Sequence, residues 1–198
     1  MTTNEPWYEI VGAETALTQG DLIFQCPLLT WDPALVGATA NSQIAEALKP
    51  AATGFRADVV IMTQACDLEH HKVRNVVLCP HVGLSTFHNR WEKAMQQQSQ
   101  NPTAKAWRNT CDDIADGYLW NHAMLAAANL GPPEMHGEIR VVDFHEVFTV
   151  PRLFLESLLT QRGTPRLRLL PPYREHLSQA FARFFMRVGL PEAINRTW

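Results

Sequence analysis

Two short runs, Asp58-Val59-Val60-Ile61-Met62-Thr63 and Asn75-Val76-Val77-Leu78-Cys79, constrain the fold more than any other part of the chain. Successive side chains of a strand point to opposite faces, so a strand built from either run is apolar on both and must be covered on both. Only Gln64 to Arg74, a polar stretch, separates them. That length suits a loop or one helical turn and makes the two strands neighbours. Pro80 is expected to end the second one.

The remaining elements follow from punctuation and period. Thr18-Gln19-Gly20-Asp21 reads as a turn, and Leu22 to Cys26 as a strand stopped by Pro27. Residues 32–56 read as a long connection with a helical patch near Gln43 to Leu48. Trp91, Met95, Trp107, Cys111 and Ile114 recur at helical spacings, which predicts a helical insertion over about 84–130, broken at Asn101-Pro102. Gly131-Pro132-Pro133 marks a loop, Glu138 to Phe144 a strand and Pro151 to Leu159 a short helix. At the C-terminus Leu177, Phe181, Phe184, Phe185 and Val188 form one stripe of an amphipathic helix over about 172–188, opened by Pro171-Pro172 and closed by Gly189 and Pro191.

No repeat or linker divides the 198 residues, so one domain is expected, its core drawn from about 17–30, 57–83 and 138–170. A chain of this size, 46% hydrophobic, can fold without disulfide or metal staples. The N-terminus has no basic flank before an apolar core, and no run is long enough to span a membrane. A cytoplasmic protein with no membrane partner is the expectation, with Cys26, Cys66, Cys79 and Cys111 as thiols or metal ligands. The net charge of -3 hides an asymmetry. From Arg140 onward nine Arg and no Lys face five acidic residues, about +4, which leaves about -7 for the first 139. Arginine suits fork-shaped contacts to phosphate or carboxylate. It equally suits pairing with Glu156 and Glu175.

The segments Gln19-Gly20-Asp21-Leu22 with Cys26-Pro27, DVVIMTQACDLE (58–69) with NVVLCP (75–80), and PPYREHLSQAFARFFMRVGLP (171–191) together resemble a family of bacterial proteins to which no activity is attached. More distantly, the Gly20-Asp21 strand start and the apolar strand ending in a small polar motif are similar to the PemK/MazF-type toxin barrel. The resemblance implies an α+β fold, a small SH3-like β-barrel or bent sheet carrying a helical insertion and a C-terminal amphipathic helix, with an RNA-facing surface. The insertion departs from the compact toxin plan, and no catalytic residue is carried over.

Several side chains are candidates for chemistry. Cys66, His70, His71, Cys79 and His81 fall within sixteen positions, so Cys66, His71, Cys79 and His81 are candidate zinc ligands. The absence of a Cys-x-x-Cys or a regular Cys/His knuckle favours buried thiols instead. A Cys66 nucleophile needs His70, His71 or a helix N-terminus to form the thiolate, and a neighbouring Asp67 opposes it. Asp21, Gln64, Cys66 and Asp67 are the catalytic candidates of a barrel-type ribonuclease or a metal- or Cys-dependent hydrolase. An architectural account has Asp67 capping a helix through 68–72, Gln64 bonding a crossing backbone and Asp21 serving a turn. His145-Glu146, with His122 and His136, are potential acid–base partners. Arg174, Arg183 and Arg187 on the last helix are candidates for a phosphate or protein partner, with Phe181, Phe184 and Phe185 holding that helix to the core. The balance favours a non-enzymatic intracellular binding or accessory module for nucleic acid or a protein. Its expected site is where Gly20-Asp21, Gln64 to Asp67 and Cys79 to His81 meet.

Overall fold

A computed structural model describes residues 6–32, 51–130 and 136–186. The helical patch near 43–48, Val188, Arg187 and the Gly189/Pro191 stop lie outside the described residues. The strands are β1 (Tyr8–Val11), β2 (Asp21–Trp31), β3 (Ala52–Ile61), β4 (Asn75–Gly83), β5 (His122–Leu125), β6 (Arg140–Asp143), β7 (Phe148–Pro151) and β8 (Arg166–Leu169). The helices are α1 (Ala65–Glu69), α2 (Leu84–Gln97), α3 (Ala104–Ala115), α4 (Arg152–Arg162) and α5 (Tyr173–Phe185). All strand pairings are antiparallel, in the order β1-β8-β2-β3-β4-β6-β5, with β7 following β6 along β4.

The doubly apolar runs are the sheet's centre. Val60 and Cys79 face one core, while Val59, Ile61, Val76 and Leu78 face the other. The first core gathers side chains from β1 through β5 and is closed by Leu177, Phe181 and Phe184 of α5. The second is covered by Leu68 of α1 and Leu155 and Leu159 of α4. The sheet curls enough that the Tyr8 hydroxyl, on the first strand of the order, donates to the Ala126 carbonyl just past the last, at 2.8 Å.

The sheet is not closed into the barrel that the toxin likeness implied. Among the described residues β1 and β5 share no ladder, and α5 packs between them with Phe181 and Phe184 against Phe144. Two strands also run past prolines expected to end them. β2 has β8 beside it only at Asp21 and Leu22, so beyond that point one edge has no ladder partner among the described residues and Pro27 costs no ladder bond there. β4 continues through Pro80, opposite Val59, to Gly83. Gln25, at positive φ, sits in the bulge that bends β2. β5 forms inside the stretch expected to be helical insertion, and Phe185 of the apolar stripe is exposed.

Two buried ionic networks fix this geometry. Asp21, fully buried, accepts from Arg166 Nε at 2.8 Å, from Arg168 Nε at 2.6 Å and from the Thr18 N–H. Arg166 spends its other donors on the carbonyls of Gly12, Thr15 and Ala16. Across the sheet, Arg140 pairs with Asp58, donates from Nε to His81 Nδ1 at 2.7 Å and lies over the Phe24 ring. Removing one partner of a buried ion pair strands the other charge. Asp21→Asn should therefore cost about 3–5 kcal/mol in urea unfolding, whereas Glu175→Gln, at the half-exposed Arg174 pair, should cost under about 1 kcal/mol. Equal effects from the two substitutions would show that the buried network is not the constraint.

Candidate functional site

The expected meeting point of three motifs exists in the backbone but not in the side chains. Gly20 N–H donates to the Ile61 carbonyl, so the turn abuts the end of β3. Asp21 is turned under its two arginines, with both oxygens engaged. Gln64 and Cys66 are exposed and Asp67 partly so, on α1. Asp67 lies in the first turn of that helix rather than capping it; Gln64 is the N-cap, without a side-chain cap bond. The bonds across backbones are made by neighbours instead. Thr63 Oγ1 accepts from Val77 N–H at 2.7 Å, and Gln19 Nε2 donates to the Met62 carbonyl at 2.9 Å.

The zinc candidates do not converge. Cys66 and His71 are on the surface, whereas Cys79 and His81 are buried. Among the described residues no group of three or more His, Cys, Asp or Glu is placed to hold a metal ion. Burial pushes the Cys79 thiol up to about 12 and, in the second core, the Cys26 thiol up to about 11. Neither is a thiolate near neutrality. A disulfide-exchange reagent at pH 8 should therefore titrate Cys66 rapidly and Cys26 and Cys79 only after unfolding. Persistence of the fast phase when both Cys66 and the half-exposed Cys111 are replaced by Ser would refute this assignment.

Of the three arginines read as partner contacts, Arg174 is paired with the adjacent Glu175, and several other C-terminal arginines are engaged within the protein. Arg152 is paired with Glu156, while Arg162 donates to the carbonyls of Phe24 and Gln25. Arg140, Arg166 and Arg168 belong to the buried networks. Arg183 is exposed at the rim of a cleft beside Gly117, and Arg187 lies outside the described residues. Most of the described C-terminal arginines thus serve as internal ties, Arg183 excepted.

The chemistry is gathered instead beneath the α2–α3 hairpin. Gly83 starts α2 without a side-chain cap of its own, and Glu138 supplies one, accepting from the Ser85 N–H at 3.1 Å and hydroxyl at 2.7 Å. The Ser85 hydroxyl bond holds the Glu138 carboxyl below its ordinary range. A Cβ at Gly83 would lie 2.2 Å from this carboxylate, so any larger residue there would have to displace the Glu138 cap. Trp107 of α3 packs on Trp91 and His88 of α2, which sets the hairpin over the sheet.

Under α2 lies a cleft of about 250 Å³, with Phe87, Arg90 and Trp91 on the helix side and His81, His122 and Asp143 on the strand side. Glu146 stands on its margin. Asp143 is bracketed by imidazoles: its Oδ1 accepts the His145 N–H at 2.9 Å and lies 3.2 Å from His145 Nδ1, and its Oδ2 is 4.0 Å from His122 Nε2. Of the acid–base set read from the sequence, His122, His145 and Glu146 come together here, while His136 sits on a separate bridge to Ala128. Asp143 and Arg90 were not legible, because no local spacing connects α2 to β6.

Two of the imidazoles are held neutral. Burial pushes His81 well below the usual imidazole range, the Arg140 charge pushes the same way, and the Val59 backbone opposes both. Arginine only donates, so His81 Nδ1 is the acceptor and Nε2 carries the proton. His122 is also lowered, by burial first, with Asp143 opposing and His145 assisting. The unfolded chain therefore binds protons at these sites more readily than the native state. Their contribution to stability is complete above about pH 6.5 and is lost as pH falls below it. The urea midpoint should drop between pH 7.5 and 5.5, and His122→Gln should reduce that slope; a flat wild-type profile would contradict the neutral assignment.

A second concavity, an apolar groove of about 580 Å³, lies between the outer ends of β2 and β3 and the β7–α4 junction. Leu29, 70% exposed, and Phe154, 39% exposed, line it together with Phe55 and Phe148. Compared with protein-family models the chain matches none, and no curated protein matches it. Among the described residues no helix is long and apolar enough to cross a membrane.

Proposed function

We propose that this protein is a binding or accessory module whose partner is another protein, captured as an extended apolar segment carrying a carboxylate. The observation that carries this reading is the apolar groove. A monomer rarely leaves large side chains such as Leu29 and Phe154 together in a concavity without a use for them. β3 pairs with β4 only from Val59 to Ile61, so among the described residues the edge of Ala52–Ala57 away from β2 has no ladder partner. An open edge beside an apolar groove suits strand addition, in which backbone bonds supply affinity and alternate side chains enter pockets. Arg56 lines the groove and, among the described residues, makes no ion pair, which favours an acidic residue on the partner.

Nucleic acid has less support. Six of the C-terminal arginines are engaged internally, and what remains is a net acidic chain. The ribonuclease and hydrolase readings rest on Asp21, Gln64, Cys66 and Asp67, of which the first is buried in an ion network and the others stand on an open surface.

Panning a displayed library of random peptides on the protein tests this proposal. Enriched sequences should combine alternating apolar residues with Asp or Glu, and Arg56→Glu and Phe154→Asp should each weaken binding at least tenfold, about 1.4 kcal/mol. Enrichment that is indifferent to both substitutions would dismiss the groove. A single-stranded RNA probe bound at low salt, in place of any peptide, would overturn the choice of partner.

A further inference from the structure

β5 is the last strand in the order of the sheet, and its outer edge is turned into a cleft of about 470 Å³. Five consecutive residues, His122 to Ala126, line that cleft. Side chains of a strand alternate between faces, so an unbroken run of this kind lines one cavity with its edge. The ladder decides which backbone groups are presented there. Phe144 N–H donates to the Asn121 carbonyl, and Ala123 pairs with Val142. Ala123 and Leu125 therefore turn their N–H and C=O toward β6, while His122, Met124 and Ala126 turn theirs into the cleft.

Two of those groups are taken. His122 N–H donates to the Leu119 carbonyl at 3.2 Å, and the Ala126 carbonyl accepts from the Tyr8 hydroxyl. Among the described residues no bond reaches the Met124 N–H or C=O. An edge left this way is a template for another strand, and proteins blunt it with Lys, Pro or a bulge. His122 to Ala126 contain no Lys or Pro, and the register with β6 is continuous. Helices guard it instead. α5 lays Tyr173, Leu177 and Ala180 along the opposite wall, and the end of α3 adds Ile114. The edge is thus open to one extended chain and shielded from a whole sheet.

We propose that this strand–helix cleft binds the C-terminal segment of a partner protein, extended along β5 and ending in an apolar residue. Backbone bonds to Met124 hold the segment, its apolar side chain lies on Leu177 and Ala180, and its terminal carboxylate meets Arg183. Among the described residues the lining holds one arginine, the exposed Arg183 at the rim, and no lysine. Asp116, the carboxylate of the same lining, disfavours acidic side chains along the segment. The open run is short, bounded by the Leu119 and Tyr8 bonds, which favours a chain end over a strand passing through.

NMR titration of the isotope-labelled protein tests this, with N-acetyl tetrapeptides ending in leucine, valine or phenylalanine as probes. The Met124 amide signal should shift, and amidating the C-terminus should weaken binding at least tenfold. Arg183→Ala should abolish that preference for acid over amide. Arg183 is exposed, so the variant keeps the fold, which circular dichroism checks. Methylating each peptide nitrogen in turn should weaken binding at alternate positions only, because a strand turns every second N–H toward its neighbour. No shift at Met124 from any probe at millimolar concentration, indifference to N-methylation, or equal binding of acid and amide would each overturn the proposal. Arg56→Glu and Phe154→Asp should leave this binding unchanged, since neither residue lines the cleft. Failure here therefore leaves the reading of the apolar groove standing, and failure there leaves this one.

Discussion

Asp21 between Arg166 and Arg168 is the contact on which the rest of the architecture hangs. One carboxylate joins the start of β2 to β8, and the same Arg166 collects three carbonyls from the 12–16 turn. β8 in turn holds β1 and leads into α5, whose apolar side seals the concave core. A buried pair of this kind is favourable only when every donor and acceptor is matched, because desolvation of each charge is expensive. Here the matching is nearly complete, which makes the arrangement specific: another register of β8 would leave an arginine in the core face and its leucines outside. Leu167 and Leu169 face the core, and Arg166 and Arg168 the opposite side, by strict alternation.

The same economy separates structural from functional charge. Arginines that read as a basic surface are consumed by Asp21, Asp58, Glu156, Glu175 and backbone carbonyls, so their number says little about a partner. Arg56 borders the apolar groove, and Arg90 and Glu146 border the cleft under α2. The imidazole pair around Asp143 adds polarity at that cleft. α2 can deliver Phe87 and Trp91 to it because Glu138 caps its first turn and Trp107 braces its outer face.

Legibility followed the range of the interactions. Val59 to Ile61 and Val76 to Leu78 announced themselves as central strands, because an apolar residue on each face is a local pattern with one economical solution, and both faces are indeed covered. The break between α2 and α3 and the packing stripe of α5 were readable for the same reason, up to Phe184. β1, β7 and β8 were not, since four residues of strand owe their shape to the neighbour they pair with. Pro27 and Pro80 misled because a proline breaks a strand only where its missing N–H is needed.

The sequence by itself determined that this chain makes a sheet buried on both faces, one helical hairpin and a terminal helix with an apolar stripe, because those features are written in periods of two and 3.6 residues. It also marked Asp21, His122, His145 and Glu146 as residues of interest. Only the tertiary structure decided what each is for. Whether a carboxylate is a tie or a site depends on which cations reach it, and those come from residues more than a hundred positions away, as Arg166 does for Asp21. Closure was likewise decided in space: α5 packs between the outer strands of a curled sheet, so their edges do not meet as a barrel.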